Sequence, residues 1–169
     1  MKIIDKTIQA HKGVNDNKPQ YIVVHHTAGN GSFETVRRYH VDQRGWEAIG
    51  YTYFINSKGT IYLGRPETTH GGHTKGLNKK SIGIALQGNF SIGQPTEAQE
   101  KSLKWLVTDI KTRHNIKDMG PHRKWAATEC FGKNMPDNWL HMLMDEKENC
   151  VCLSKATKNQ LINEFVSRF

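Results

Sequence analysis

The run Tyr21-Ile22-Val23-Val24 passes without a break into the polar, glycine-rich string HHTAGNGS. β-Branched and aromatic residues in such a run predict a buried strand, and the string after it predicts the loop that the strand enters. Two histidines, His25 and His26, are thereby delivered to a strand end. Ser32 suits the cap of a following helix with Phe33, Val36 and Tyr39 at helical spacing, which stops near Gly45.

Further on, YTYFIN and TIYLGR flank SKG and predict a hairpin. The stretch from Glu67 to Lys80 has no apolar periodicity and is expected as an exposed loop. Ser81 to Gly88 returns to strand character, with Ile82, Ile84 and Leu86 on one face of a strand near the centre of a sheet. Thr96-Glu97-Ala98-Gln99 is a capping box, and it opens a helix with the stripe Leu103, Leu106, Val107 and Ile110. The segment MGPHRKWAATECFGKNMP reads as a loop, and a helix is expected after Pro136 with Leu140, Leu143 and Met144 inward. A last helical pattern, Leu161 to Phe169, follows a second capping box at Thr157. Strands interspersed with helices predict an α/β fold, a single domain whose central mixed β-sheet is flanked by α-helices.

The chain has 169 residues, the size of one ordinary domain. Its mean hydropathy is −0.67, and its apolar runs fall far short of the ~20 residues a membrane span needs. The opening MKIIDKTIQAHKG lacks the apolar core of a secretory signal. The expectation is cytoplasmic synthesis with no signal peptide. A net charge of +8 attracts polyanions, whether nucleic acid, an anionic membrane or an anionic cell wall. No nucleic-acid-binding signature accompanies the charge, so a solvated basic surface accounts for it equally well. Three cysteines, two of them separated by one residue, cannot build a disulfide framework and fit a reduced compartment.

Among nine histidines, His11, His40, His114 and His141 carry no motif. His122 and Cys130 share one turn-rich segment, and a loop can bring them together. Zinc accepts imidazole and thiolate together, and a catalytic zinc keeps three protein ligands and one open position. His25, His122 and Cys130 would fill that quota, although neither a zinc-finger spacing nor HExxH is present.

The strings YIVVHHTAG, IGYTYFINSKGTIYLGRP, GGHTKGLNKKSIGIALQGNF and GPHRKWAATECFG, in that order, resemble the type 2 N-acetylmuramoyl-L-alanine amidases. That family includes phage lysozyme-amidases and the animal peptidoglycan recognition proteins. The resemblance runs from about Tyr21 to Met135. It implies a Zn2+ cofactor in a cleft at one face of the sheet, held by His25, His122 and Cys130, with His26 a neighbour only. It further implies catalytic roles for Tyr51 and Thr128, and a substrate-lining loop with His73, Thr74 and Asn78; a turn-stabilising role for Asn78 fits equally. Two departures bear on the groove: Ala48 stands where an acidic residue is common, and Phe131 where a proline often follows the metal cysteine.

The expected activity is hydrolysis of the amide between N-acetylmuramic acid and L-alanine in bacterial peptidoglycan, most like a phage endolysin catalytic domain that reaches the wall after release. Residues 1–145 are expected as the amidase domain and 146–169 as a helical extension packed on it or on a partner. The expected partner is peptidoglycan, with anionic wall polymers meeting the basic surface of a monomer. Two other readings stand beside it. One is a peptidoglycan-binding module without activity; the other is a cysteine hydrolase with Cys130 as nucleophile, which would survive a chelator.

Overall fold

The computed structural model describes residues 1–7 and 14–145. The expected final helix, the extension 146–169, Cys150 and Cys152 lie outside the described residues.

Six strands form one mixed sheet in the order β1-β4-β3-β5-β2-β6. They are β1 (Ile3–Asp5), β2 (Tyr21–His26), β3 (Tyr53–Ile55), β4 (Ile61–Leu63), β5 (Ser81–Leu86) and β6 (Asp118–Pro121). Among these strands the hairpin β3–β4 pairs antiparallel and the other neighbours pair parallel. β5 lies between β3 and β2 and is buried at all six positions, as expected where a parallel strand is covered on both faces.

Among the described residues three α-helices accompany the sheet: α1 (Phe33–Arg38), α2 (Glu97–Arg113) and α3 (Trp139–Asp145). Ser32 caps α1, and a π-helical turn, Tyr39–Gln43, continues it. The reciprocal Thr96–Gln99 capping box opens α2. Leu103, Leu106, Val107 and Ile110 are fully buried against Ile22, Val24, Ile55, Ile82, Ile84 and Leu86, with Leu140 and Leu143 of α3 in the same cluster. The opposite face holds a smaller cluster of Phe33, Ile49, Phe54 and Ala85.

Two expectations need correction, and one strand was not foreseen. Met119–Pro121, read as the start of a loop, belong to the strand Asp118–Pro121; β6 is an edge strand, where a proline costs no ladder bond on the open side. The short edge strand β1 also had no sequence signal. The stretch 67–80 is less exposed than its composition implies, because Thr69, His73 and Thr74 are buried.

Candidate metal centre

Alternation along β2 separates the two adjacent histidines. His25 is in register with Ala85, which belongs to the smaller cluster, whereas His26 follows Val24 on the α2 face. His26 Nδ1 accepts from the backbone N–H of Phe90 at 3.0 Å, and its ring lies near Phe90 and Phe131. His25 faces the cleft. β6 runs parallel beside β2, so His122, the first residue after β6, emerges at the same end of the sheet. The His25 and His122 ring centroids are 4.5 Å apart.

Cys130 arrives on a loop fastened to the residue after His122. The Arg123 backbone N–H donates to the Cys130 carbonyl at 2.7 Å, and the Arg123 guanidinium holds the carbonyls of Gly132 and Met135 and the Asp137 carboxylate. Gly132 takes φ +96, a conformation costly for any side chain. Phe131, the departure from proline, is buried between Phe90 and Trp139 at centroid distances of 5.1 and 5.0 Å and anchors the loop in the main core.

The donor atoms of His25, His122 and Cys130 all lie within 4.8 Å of one another. Cys130 Sγ is 3.7 Å from His25 Nδ1. A tetrahedral zinc with Zn–S about 2.3 Å and Zn–N about 2.0–2.1 Å sets S and N about 3.6 Å apart. The Cys130–His25 spacing therefore matches zinc, and the three donors suit it in chemistry.

Burial, and then the neighbouring His73, His122 and His26, hold His25 well below its ordinary value of 6.5; burial lowers His122 as well. Both imidazoles are uncharged at neutral pH, as metal ligands must be. Burial pushes the Cys130 thiol up to about 11, against the His26 backbone N–H and the Arg123 charge, which both favour the thiolate. A metal-free thiol in that state is a poor nucleophile, which weighs against the cysteine-hydrolase reading.

The three donors line a cleft of about 770 Å³ together with Tyr51 and Thr128. The Tyr51 ring centroid is 5.2 Å from that of His25. Burial, and next the proximity of Cys130, raise the Tyr51 phenol above its ordinary 10.0, with Arg44 opposing, so it stays a donor at any physiological pH. Thr128 Oγ1 accepts from the Cys130 backbone N–H at 3.2 Å and still carries its own proton.

His73, Thr74 and Asn78 separate in position. His73 lines the cleft while only 8% exposed. Asn78 Oδ1 accepts from the backbone N–H groups of His73 and Thr74, at 2.9 and 2.8 Å, and so shapes the loop. Thr74 is 1% exposed, with its hydroxyl beside His73.

Three supporting residues carried no sequence signal: Arg123, Arg65 and His40. Arg65 is buried and donates to the carbonyls of Ile49, Ala48 and His70, tying the segment before Tyr51 to the next loop. His40, which had no motif, projects from the π-helical turn, accepts from the Gly50 N–H and stacks on Trp46, with its ring 5.6 Å from Tyr51. Burial, then Arg44 and Arg65, lower it to about 4.

Comparison with known proteins agrees with this geometry. Residues 15–136 match the N-acetylmuramoyl-L-alanine amidase family model. Peptidoglycan-recognition protein SC2 of Drosophila melanogaster is 36% identical over 131 residues, covering 70% of this chain and 71% of its own. The amidase LysC from Clostridium intestinale superposes with a TM-score of 0.74 at 37% identity, over 80% of this chain and 92% of its own. The endolysin of Thermus scotoductus bacteriophage Ph2119 does so with a TM-score of 0.73 at 27% identity, over 85% and 99%. This chain belongs to the N-acetylmuramoyl-L-alanine amidase family.

Proposed function

We propose that this chain is a zinc-dependent amidase that hydrolyses the bond between N-acetylmuramic acid and L-alanine in bacterial peptidoglycan. The observation that carries the proposal is the complete donor set, two uncharged imidazoles and one thiol converging in an open cleft beside Tyr51 and Thr128. A module that only bound peptidoglycan would need the groove but not those donors.

His25 Nδ1, His122 and Cys130 Sγ hold the metal in this reading. Zinc, when bound at such a site, polarises a carbonyl and makes water nucleophilic near neutral pH. Tyr51 donates its hydroxyl to the negative charge that develops on the scissile carbonyl oxygen, and Thr128 offers a second hydroxyl from the cleft wall. Tyr51 suits the task because it remains protonated. His73 meets substrate from the cleft wall, while Thr74 and Asn78 act on substrate by shaping the loop.

The likeness to the Ph2119 endolysin supports an endolysin role, and in this reading the protein is made in the cytoplasm and acts on the wall after release. The test is digestion of purified peptidoglycan. New L-alanine amino termini without new reducing sugar ends, lost in Cys130→Ser, support the proposal. Binding without any release, across several wall types, would instead make the chain a recognition module.

A further inference from the structure

His25 can serve as a ligand through Nδ1 only if its proton sits on Nε2, and a chain of hydrogen bonds beneath the cleft decides that question. Ser81 Oγ lies 2.7 Å from the Leu77 carbonyl oxygen, which can only accept, so the single Ser81 proton is committed there. Ser81 Oγ also lies 3.3 Å from His73 Nε2. Having spent its proton, Ser81 must accept at that contact, and His73 therefore carries its proton on Nε2. An uncharged His73 then presents a lone pair at Nδ1, which is 3.0 Å from His25 Nε2. His25 must donate, and its Nδ1 is left bare on the side where Cys130 Sγ stands.

Thr74 Oγ1 also lies 3.0 Å from His73 Nδ1. A hydroxyl proton rotates and a ring N–H does not, so Thr74 yields that lone pair when His25 donates. The fold holds the His73 ring in place by omitting side chains around it. A Cβ at Gly83 would fall 2.5 Å from the ring, and one at Gly71 2.4 Å from it.

We infer that His73 is a positioning residue for the metal centre: the relay from the Leu77 carbonyl through Ser81 and His73 fixes His25 as the tautomer with its proton on Nε2 and its Nδ1 turned to the metal. The inference rests on the proposed ligand set. Partners of this kind, when removed, commonly lower metal affinity ~10–100-fold.

Two measurements on the full chain test it. The first is zinc affinity by chelator competition for His73→Phe, His73→Gln, Ser81→Ala and His122→Ala. The expected result is a ~10–100-fold weakening in His73→Phe, a smaller weakening in Ser81→Ala, and recovery toward wild type in His73→Gln, whose amide oxygen can accept. The second is the ring 15N shifts of His25 in the metal-free protein, expected to show the Nε2–H form in wild type and a mixture in His73→Phe. Ser81→Ala leaves His73 in place and keeps the test valid if His73→Phe does not fold. Wild-type affinity and an unchanged His25 tautomer in His73→Phe, or in Ser81→Ala where that variant stands in, would overturn the inference. Wild-type affinity in His122→Ala would instead overturn the ligand set, and the 15N shifts would still report on the relay.

Discussion

The backbone N–H of Arg123 donates to the carbonyl of Cys130 over 2.7 Å, so the residue beside one candidate ligand is bonded to another. Arg123 adds side-chain bonds to three further groups of the same loop. Arg123→Ala should destabilise the protein by on the order of 2–3 kcal/mol, since charged groups lose more than neutral ones when a bond is removed. Denaturant unfolding would measure the loss, and zinc affinity should fall with it. Wild-type stability in the variant would show that the backbone bond and Phe131 anchor the loop without the guanidinium.

Tyr51→Phe should lower kcat by about 10²–10³-fold, the usual loss for one donor to a developing oxyanion. Because Tyr51 is not one of the three candidate ligands and packs its ring beside His25, zinc affinity should change little. Kinetics on a soluble muropeptide, alongside chelator competition, would separate the two effects.

Acid should weaken the fold through Glu67. Burial raises this carboxyl, but bonds from Arg113, His114 and Tyr53 outweigh it and hold the group below its ordinary 4.5. The folded value is thus depressed, so the stabilisation is fully present above about pH 4.5 and is lost as pH falls through the folded value. Glu67→Gln should therefore cost stability at pH 7 and progressively less below pH ~4. A destabilisation that is equal at pH 7 and pH 3 would contradict the assignment.

Wall binding should weaken steeply with salt, because a net charge of +8 works through screened attraction. Pull-down on purified walls between low and high ionic strength would show it. Retention indifferent to salt would place the affinity in the groove instead of the basic surface.

What the sequence disclosed follows from how local each signal is. β2, the β3–β4 hairpin and the α2 capping box are each specified within a few residues, and the strand-to-loop passage at His25 marked one candidate ligand. β6 was hidden because Gly120 and Pro121 look like loop residues until an edge position excuses them. The loop carrying His73 looked exposed because the reason for its burial, Gly83, lies ten residues away on another element. Arg123, Arg65 and Ser81 act through backbone carbonyls, and carbonyls have no sequence. The convergence of His25, His122 and Cys130 needed β2 and β6 side by side, a non-local fact.

In the proposed function, zinc at His25, His122 and Cys130 drives amide hydrolysis. The most direct measurement is release of L-alanine amino termini from peptidoglycan by the native protein, after chelation, and after zinc is restored. The expected sequence is release, loss and recovery, with one zinc bound per chain and none in His122→Ala. Release that persists in the fully chelated protein would contradict it.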